Sequence, residues 1–299
     1  MKNKKTHIET GYSSILSALL FIVIGINSYG QTFEWAKQIG GTGWDEGTSI
    51  AVDNNSNVYT IGSFRGTVDF DPGTGSFNLT SVGEEDAFIC KLDSTGNFLW
   101  AKQYGDSAFV KSNAVALDAA GNIYAVGSFS GQVDFNPGAG TFDLMSSNWD
   151  RDIFIQKLDE DGNFIWAKQI SGISPTPLAT PSPTNAYSIA IDAMDNFYLT
   201  GYFDGTVDFD PDTSNFNLTV VQATDIFVSK FDTDGDFIWV KQLGGQQGGI
   251  GYAIAVDENS NVYTTGTIGG MVDFDPGPGV FNLDLSNPFQ TEMYISKLD

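Results

Sequence analysis

Histidine is almost missing from this chain of 299 residues, and the one copy, His7, lies in a leader-like segment expected to be removed. Residues 31–299 then hold no imidazole. That excludes Ser-His-Asp and Cys-His nucleophile systems and any His-ligated zinc or iron centre. Cysteine is equally scarce: Cys90 stands alone, so no intramolecular disulfide can form. It sits in the apolar run 87–92, which reads as a buried structural thiol rather than a reactive one. Positive charge is short as well, with 14 Lys plus Arg against 37 Asp plus Glu and a net charge of −23. Phosphate backbones and anionic lipid surfaces need cationic partners, so neither nucleic acid nor a membrane surface is an expected partner. An acidic surface suits solubility and divalent cations.

Long hydrophobic runs are also lacking. The longest, 15–26, has 12 residues, whereas a spanning helix needs about 20. Lys2, Lys4 and Lys5 precede it and Ser28-Tyr29-Gly30 follows, with small residues at the two positions a signal peptidase reads. Residues 1–30 therefore read as a secretory signal peptide, with no cysteine nearby for a lipoprotein anchor. The expected location is secreted, either extracellular or at the cell surface, with no membrane span. Removing three Lys and Glu9 from the totals leaves 11 basic and 36 acidic side chains, a net −25.

What the chain does have is periodicity. Trp-Ala-Lys-Gln begins at Trp35, Trp100 and Trp166, and Trp-Val-Lys-Gln at Trp239, with spacings of 65, 66 and 73 residues. Four further blocks recur in order within each period. They are Ser-Ile-Ala-Val-Asp (49–53), Asn-Val-Tyr-Thr-Ile-Gly (57–62), Val-Asp-Phe-Asp-Pro (68–72) and Phe-Ile-Cys-Lys-Leu-Asp (88–93), with counterparts in all four repeats. The blocks are short, rich in β-branched and aromatic residues, and bounded by Gly, Asn and Asp, so they read as strands. In the first repeat we letter them A (49–53), B (57–64), C (87–93) and D (98–104). Tight Asn/Asp/Gly turns join A to B and C to D.

Both faces of these strands are apolar, which calls for sheets stacked between neighbouring sheets. Four antiparallel strands per unit make one propeller blade, so the expected fold is an all-β propeller over 31–299. Known blade repeats are shorter, about 40–50 residues, and the surplus falls between B and C as a hairpin-like insert. The strand segment 33–39 at the front and the strand segment 294–299 at the back are complementary. Pairing them would close a ring of four blades and remove an exposed edge. A truncated member of a larger ring is the alternative.

The pattern W-A-K-Q…A-V-D-x-x-x-N-V-Y…G-x-F-x-G-T-V-D-F-D-P-G…F-I-x-K-L-D-x-x-G-N-F resembles the SBBP-type β-propeller repeat of secreted bacterial proteins, over residues 33–299. The resemblance implies an extracellular or surface propeller and carries over no catalytic residues. Members often continue into a C-terminal secretion-sorting domain; the repeat here runs to residue 299.

The most specific polar motif is an acid pair in each insert: Asp69 and Asp71, Asp134 and Asn136, Asp208 and Asp210, Asp273 and Asp275. Residues i and i+2 on an extended chain share a side. They would repel unless satisfied by a cation, for which calcium is the candidate, or by turn N–H groups, which the following Pro-Gly favours. No cofactor is required. The recurring tryptophans read as blade packing, and Asp86, Asp152, Asp225 and Glu292 as caps before strand C. Strand direction puts the B–C and D–A connections on one face, the candidate binding surface. Four aromatics there break the repeat: Trp44, Phe109, Trp149 and Phe289. They suit sugar stacking or protein contact. A Pro-rich loop, 174–184, lengthens the third repeat. The expected function is a non-catalytic protein or matrix interaction scaffold. A glycan-binding propeller is the alternative, and a glycosidase using paired carboxylates is the third reading.

Overall fold

The computed structural model describes residues 32–105, 109–146, 151–172, 183–212, 214–285 and 290–299. The chain divides into two compact units, Met1–Glu34 and Trp35–Asp299. The second holds every strand. The leader read at 1–30, Trp149, Phe289 and most of the Pro-rich loop lie outside the described residues.

The secondary structure of the described residues is all β, with antiparallel pairing throughout. A short β1 (Gly40–Gly41) precedes the first repeat, which contains β2 (Asp45–Val52), β3 (Val58–Phe64), β4 (Thr67–Asp69), β5 (Asn78–Thr80), β6 (Asp86–Leu92) and β7 (Phe98–Tyr104). The second repeat supplies β8 (Phe109–Leu117), β9 (Ile123–Ser130), β10 (Gln132–Asp134), β11 (Asp143–Met145), β12 (Asp152–Leu158) and β13 (Phe164–Gly172). In the third lie β14 (Asn185–Ile191), β15 (Phe197–Phe203), β16 (Thr206–Asp208), β17 (Asn217–Thr219), β18 (Asp225–Phe231) and β19 (Phe237–Leu243). The last comprises β20 (Gly249–Val256), β21 (Val262–Gly269), β22 (Val272–Asp273), β23 (Asn282–Leu283) and β24 (Thr291–Leu298).

The strands lettered A to D pair in that order, as β2-β3-β6-β7, β8-β9-β12-β13 and β14-β15-β18-β19, while the fourth sheet has β20-β21-β24. Between B and C each repeat places its insert as a two-stranded hairpin, β4–β5, β10–β11, β16–β17 and β22–β23. The first strands of successive sheets lie against one another, β2 on β8, β8 on β14 and β14 on β20. Each of these first strands carries a bulge, at Gly47/Ser49, Ser112/Ala114, Ala186/Ser188 and Gly251/Ala253. The recurring Gly62, Gly127, Gly201 and Gly266 sit opposite. A Cβ there would collide with the backbone oxygen of Glu46, Lys111, Asn185 or Ile250, so the bulge demands glycine across from it.

Both faces of the sheets are covered, as the unalternating sequence requires. Ile89, Ala87 and Tyr59 of the first sheet pack with Ile123, Phe129, Phe135 and Phe154 of the second. Ile153 and Ile155 of the second pack with Leu199, Phe203 and Phe227 of the third. The repeated tryptophans are packing residues, edge-on to the strand B tyrosines: Trp100 on Tyr59 at 6.2 Å, Trp166 on Tyr124 at 6.0 Å and Trp239 on Tyr198 at 6.0 Å.

The ends differ from expectation. The closing pair between segments 33–39 and 294–299 is not formed, and among the described residues β24 pairs with β21 alone. The ends of two D segments reach forward to the next insert hairpin, Ser171–Gly172 to Val207–Asp208 and Gly245 to Val272. Gly40 and Gly41 pair with Asp69 and Val68 in the same way. The Trp35 indole N–H donates to the Ser94 carbonyl, and Trp35 and Ile39 pack on Phe64, Phe88 and Leu92. The N-terminal segment is thus held by the first sheet and its insert hairpin, and among the described residues it has no strand pairing with β24.

Candidate functional site

The insert acid pairs are built identically four times. One oxygen of Asp69 accepts from the backbone N–H of Asp71 at 3.1 Å and of Phe77 at 2.8 Å. Asp134, Asp208 and Asp273 do the same for Asn136 and Phe142, Asp210 and Phe216, and Asp275 and Phe281. The second member caps the following turn, with Asp71, Asn136, Asp210 and Asp275 accepting from Gly73, Gly138, Asp212 and Gly277. These are Asx turns that hold a loop shut. The N–H bond from Phe77, chief among several, holds the Asp69 carboxyl below its ordinary range. No group of three or more His, Cys, Asp or Glu that could hold a metal occurs among the described residues.

A second recurring assembly sits at the A–B turns. Asp53 accepts from the backbone of Asn55 and Asn57, from the Asn57 amide and from Tyr59. Above the tyrosine lies a strand C lysine: Lys91 over Tyr59 at 4.8 Å, Lys157 over Tyr124 at 4.7 Å, Lys230 over Tyr198 at 4.7 Å and Lys297 over Tyr263 at 5.5 Å. Lys91 donates to the Glu160 carbonyl and Lys157 to that of Thr233, each in the C–D turn of the following sheet. Lys157 also lies 3.6 Å from Asp118. The sequence marks these lysines only as part of an apolar run. The structure uses the buried charge of Lys91 and Lys157 to tie one sheet to the next. Asp86, Asp152 and Asp225 likewise accept from the Gln that ends each Trp-Ala-Lys-Gln or Trp-Val-Lys-Gln block, each at 2.6 Å.

Where the repeat breaks, a different site appears. Trp44 and Phe109, two of the four aromatics singled out in the sequence, lie together in a cleft of about 500 Å³ at the join of the first two sheets. Arg65, Glu85, Lys111 and Arg151 complete its lining. All six come from the D–A and B–C connections or from the adjoining start of strand A, the face selected from sequence. The Arg65 guanidinium carbon stands 5.7 Å from the Trp44 ring centre and the Lys111 ammonium 5.8 Å from it. Arg151 lies over Phe109 at 4.4 Å. Such contacts draw a cation onto the negative face of the ring. Arg65 also pairs with the buried Glu85 at 2.9 Å, and Lys111 with Glu46 at 3.0 Å.

The rings therefore seat cations, while Trp44 keeps 48% of its surface exposed. Among the described residues three positive side chains meet two carboxylates in this cleft and its ion pairs, in a chain of net −23. Sequence reasoning found the aromatics and missed the cations. Their signal was present: Arg65 stands where the other repeats have Ser130, Asp204 and Gly269, and Arg151 where they have Glu85, Thr224 and Thr291. Lys111 replaces Glu46, Asn185 and Ile250. A cation at a non-repeating position of an acidic repeat protein is the feature to look for.

Comparison with known proteins agrees with this architecture. The SBBP β-propeller repeat family model matches residues 34–63 and 238–271. An uncharacterised WD repeat-containing protein of Acanthamoeba polyphaga mimivirus is 27% identical over 238 residues, which is 70% of this chain and 16% of that protein. The chain therefore spans about a sixth of the length of this relative. A crystal structure of a protein of unknown function from Bacteroides caccae aligns over 69% of this chain and 68% of its own, at 11% identity and a TM-score of 0.25. A superposition that loose carries no argument. No helix among the described residues is long and apolar enough to cross a membrane.

Proposed function

We propose that this β-propeller repeat protein is an exported, non-catalytic recognition module that acts as a matrix interaction scaffold through the face bearing the B–C and D–A connections. The observation that carries this reading is the cleft at the first two blades, assembled from side chains that the other repeats do not share. Variable residues on loops over a rigid repeat scaffold are where recognition is built. Export rests on the basic, apolar and small-residue succession of the first 30 residues.

Glu46 and Glu85 are carboxylates at non-repeating positions near this cleft, which gives the glycosidase reading its footing. Each is ion-paired with a cation at 2.9–3.0 Å, whereas a glycosidase acid needs surroundings that keep its proton. The test is binding of residues 31–299 to arrays of glycans and matrix proteins, alongside Trp44→Ala. Saturable retention that weakens in the variant supports recognition at this cleft. Retention equal in both proteins moves the site elsewhere, and hydrolysis of an arrayed glycan returns the enzyme reading.

A further inference from the structure

Resting on the recognition reading, we infer that the cleft takes the anionic group of an acidic saccharide, with Arg151 as its principal contact. Arg65 is committed to buried Glu85, and Lys111 shares its charge with Glu46. Arg151 is exposed and lies against the Phe109 ring, with no carboxylate within ion-pair distance among the described residues. A guanidinium seated on an aromatic face keeps its in-plane N–H fork for a planar or tetrahedral oxyanion. The ring it rests on limits its freedom, so less ordering is lost on binding.

The surroundings favour a saccharide over an acidic peptide. Trp44 is 48% exposed beside this charge, an amphipathic ring that can lie along the apolar face of a pyranose. The rest of the cleft is polar and shallow enough to stay wet, which suits hydroxyl-rich ligands. The net charge of −23 works against long polyanions lying across the wider surface, so recognition is expected at one charged unit and its neighbours.

Residues 31–299 should be titrated at 0.15 M salt with uronate oligosaccharides, a sulfated oligosaccharide, a neutral oligosaccharide of equal length and an oligoglutamate peptide. Arg151→Ala, Arg151→Lys and Trp44→Ala are the variants. Lys168→Ala, which alters a cation elsewhere paired with Asp212 and Asp236, is the control. The expected result is binding of the anionic saccharides over the neutral one, weakened about tenfold or more by Arg151→Ala. Partial rescue by Arg151→Lys and no change in the control are also expected. The uronate and sulfate arms show which oxyanion is preferred. Equal binding of the neutral oligosaccharide, or unchanged affinity in Arg151→Ala with its melting curve intact, overturns the inference. So does stronger binding of oligoglutamate. If a neutral glycan or a protein binds and Trp44→Ala removes it, the recognition reading survives alone. If no ligand binds and neither variant matters, both fall.

Discussion

The A–B turns and the cleft at the first two blades contain the same kinds of groups, lysine or arginine over an aromatic ring beside a carboxylate, yet they do opposite things with them. At Lys157 the ammonium is buried over Tyr124, bonded to the Thr233 carbonyl at 2.9 Å and close to Asp118. The ammonium faces other parts of the chain, and the lysine-over-tyrosine pair recurs in each repeat. At Arg151, an exposed residue, the guanidinium rests on Phe109, and the other repeats have no arginine at this position. Repetition marks groups consumed by the scaffold, and departure from it marks groups left over for a ligand.

The largest effects should therefore come from repeated positions. Phe135 is fully buried between the first two sheets, tilted against Phe154 at 4.8 Å and edge-on to Phe129 at 5.2 Å. Phe135→Ala should cost about 3–5 kcal/mol by leaving a cavity. Lys157→Ala should cost about 3 kcal/mol, because Asp118 stays buried without its cation. Trp44→Ala should change stability by under about 1 kcal/mol, since the ring is half exposed. Denaturant unfolding of the three variants checks the ranking, and a cleft variant as damaging as Phe135→Ala would erase the contrast.

Much of the scaffold was legible before the structure. The strand order, the insert hairpin and the packing role of the tryptophans follow from four ordered blocks, because a recurring pattern has to satisfy the same backbone and packing needs each time. The expected pair between the chain ends is not formed among the described residues. The sequence shows that segment 33–39 has a D pattern, but a D segment has two neighbours, and the insert hairpin on its far side is what β1 found. Of the cleft, the two aromatics could be read as exceptions to the repeat. Their seating of Arg65, Lys111 and Arg151 could not, because the three come from connections 40 residues apart or more along the chain and meet only once the blades stack.

Acid should sharpen the comparison from the turn side. Burial is the largest single influence on the carboxyls of Asp53, Asp159 and Asp192 and pushes them up, but their N–H and amide donors together outweigh it and hold them below their ordinary range. The Asn261 amide, the largest influence on Asp257, helps bring it down to about 2 from 3.8. A carboxyl lowered in the folded state lends stability above its unfolded pKa and loses it as pH falls through the folded value. Asp225 runs the other way: burial raises it, so its share is present at low pH and lost as pH rises through its folded value. With the lowered group more numerous, melting temperature should hold above about pH 4 and fall toward pH 2. Asp257→Asn should flatten that fall, and a melting temperature independent of pH over this interval would remove the turns from the stability argument.

The smallest expected effect is that of calcium, and it decides how the insert acids are to be read. Each first aspartate already spends one oxygen on two backbone N–H groups, and each second member caps a turn. Calcium needs six to eight oxygens around one point, and turn acceptors pointing at their own N–H groups do not converge that way. Any cation still relieves repulsion in a chain of net −23 through screening alone. Calcium and sodium at matched ionic strength should therefore raise the melting temperature equally, with no calorimetric isotherm. Asp69→Ala should lower the melting temperature to the same extent with or without calcium, because it removes the acceptor of the Asp71 and Phe77 N–H groups. A calcium-specific rise that Asp69→Ala abolishes would turn these residues from repeated scaffold into four ligand sites. It would also end the rule that repetition marks groups the fold has consumed.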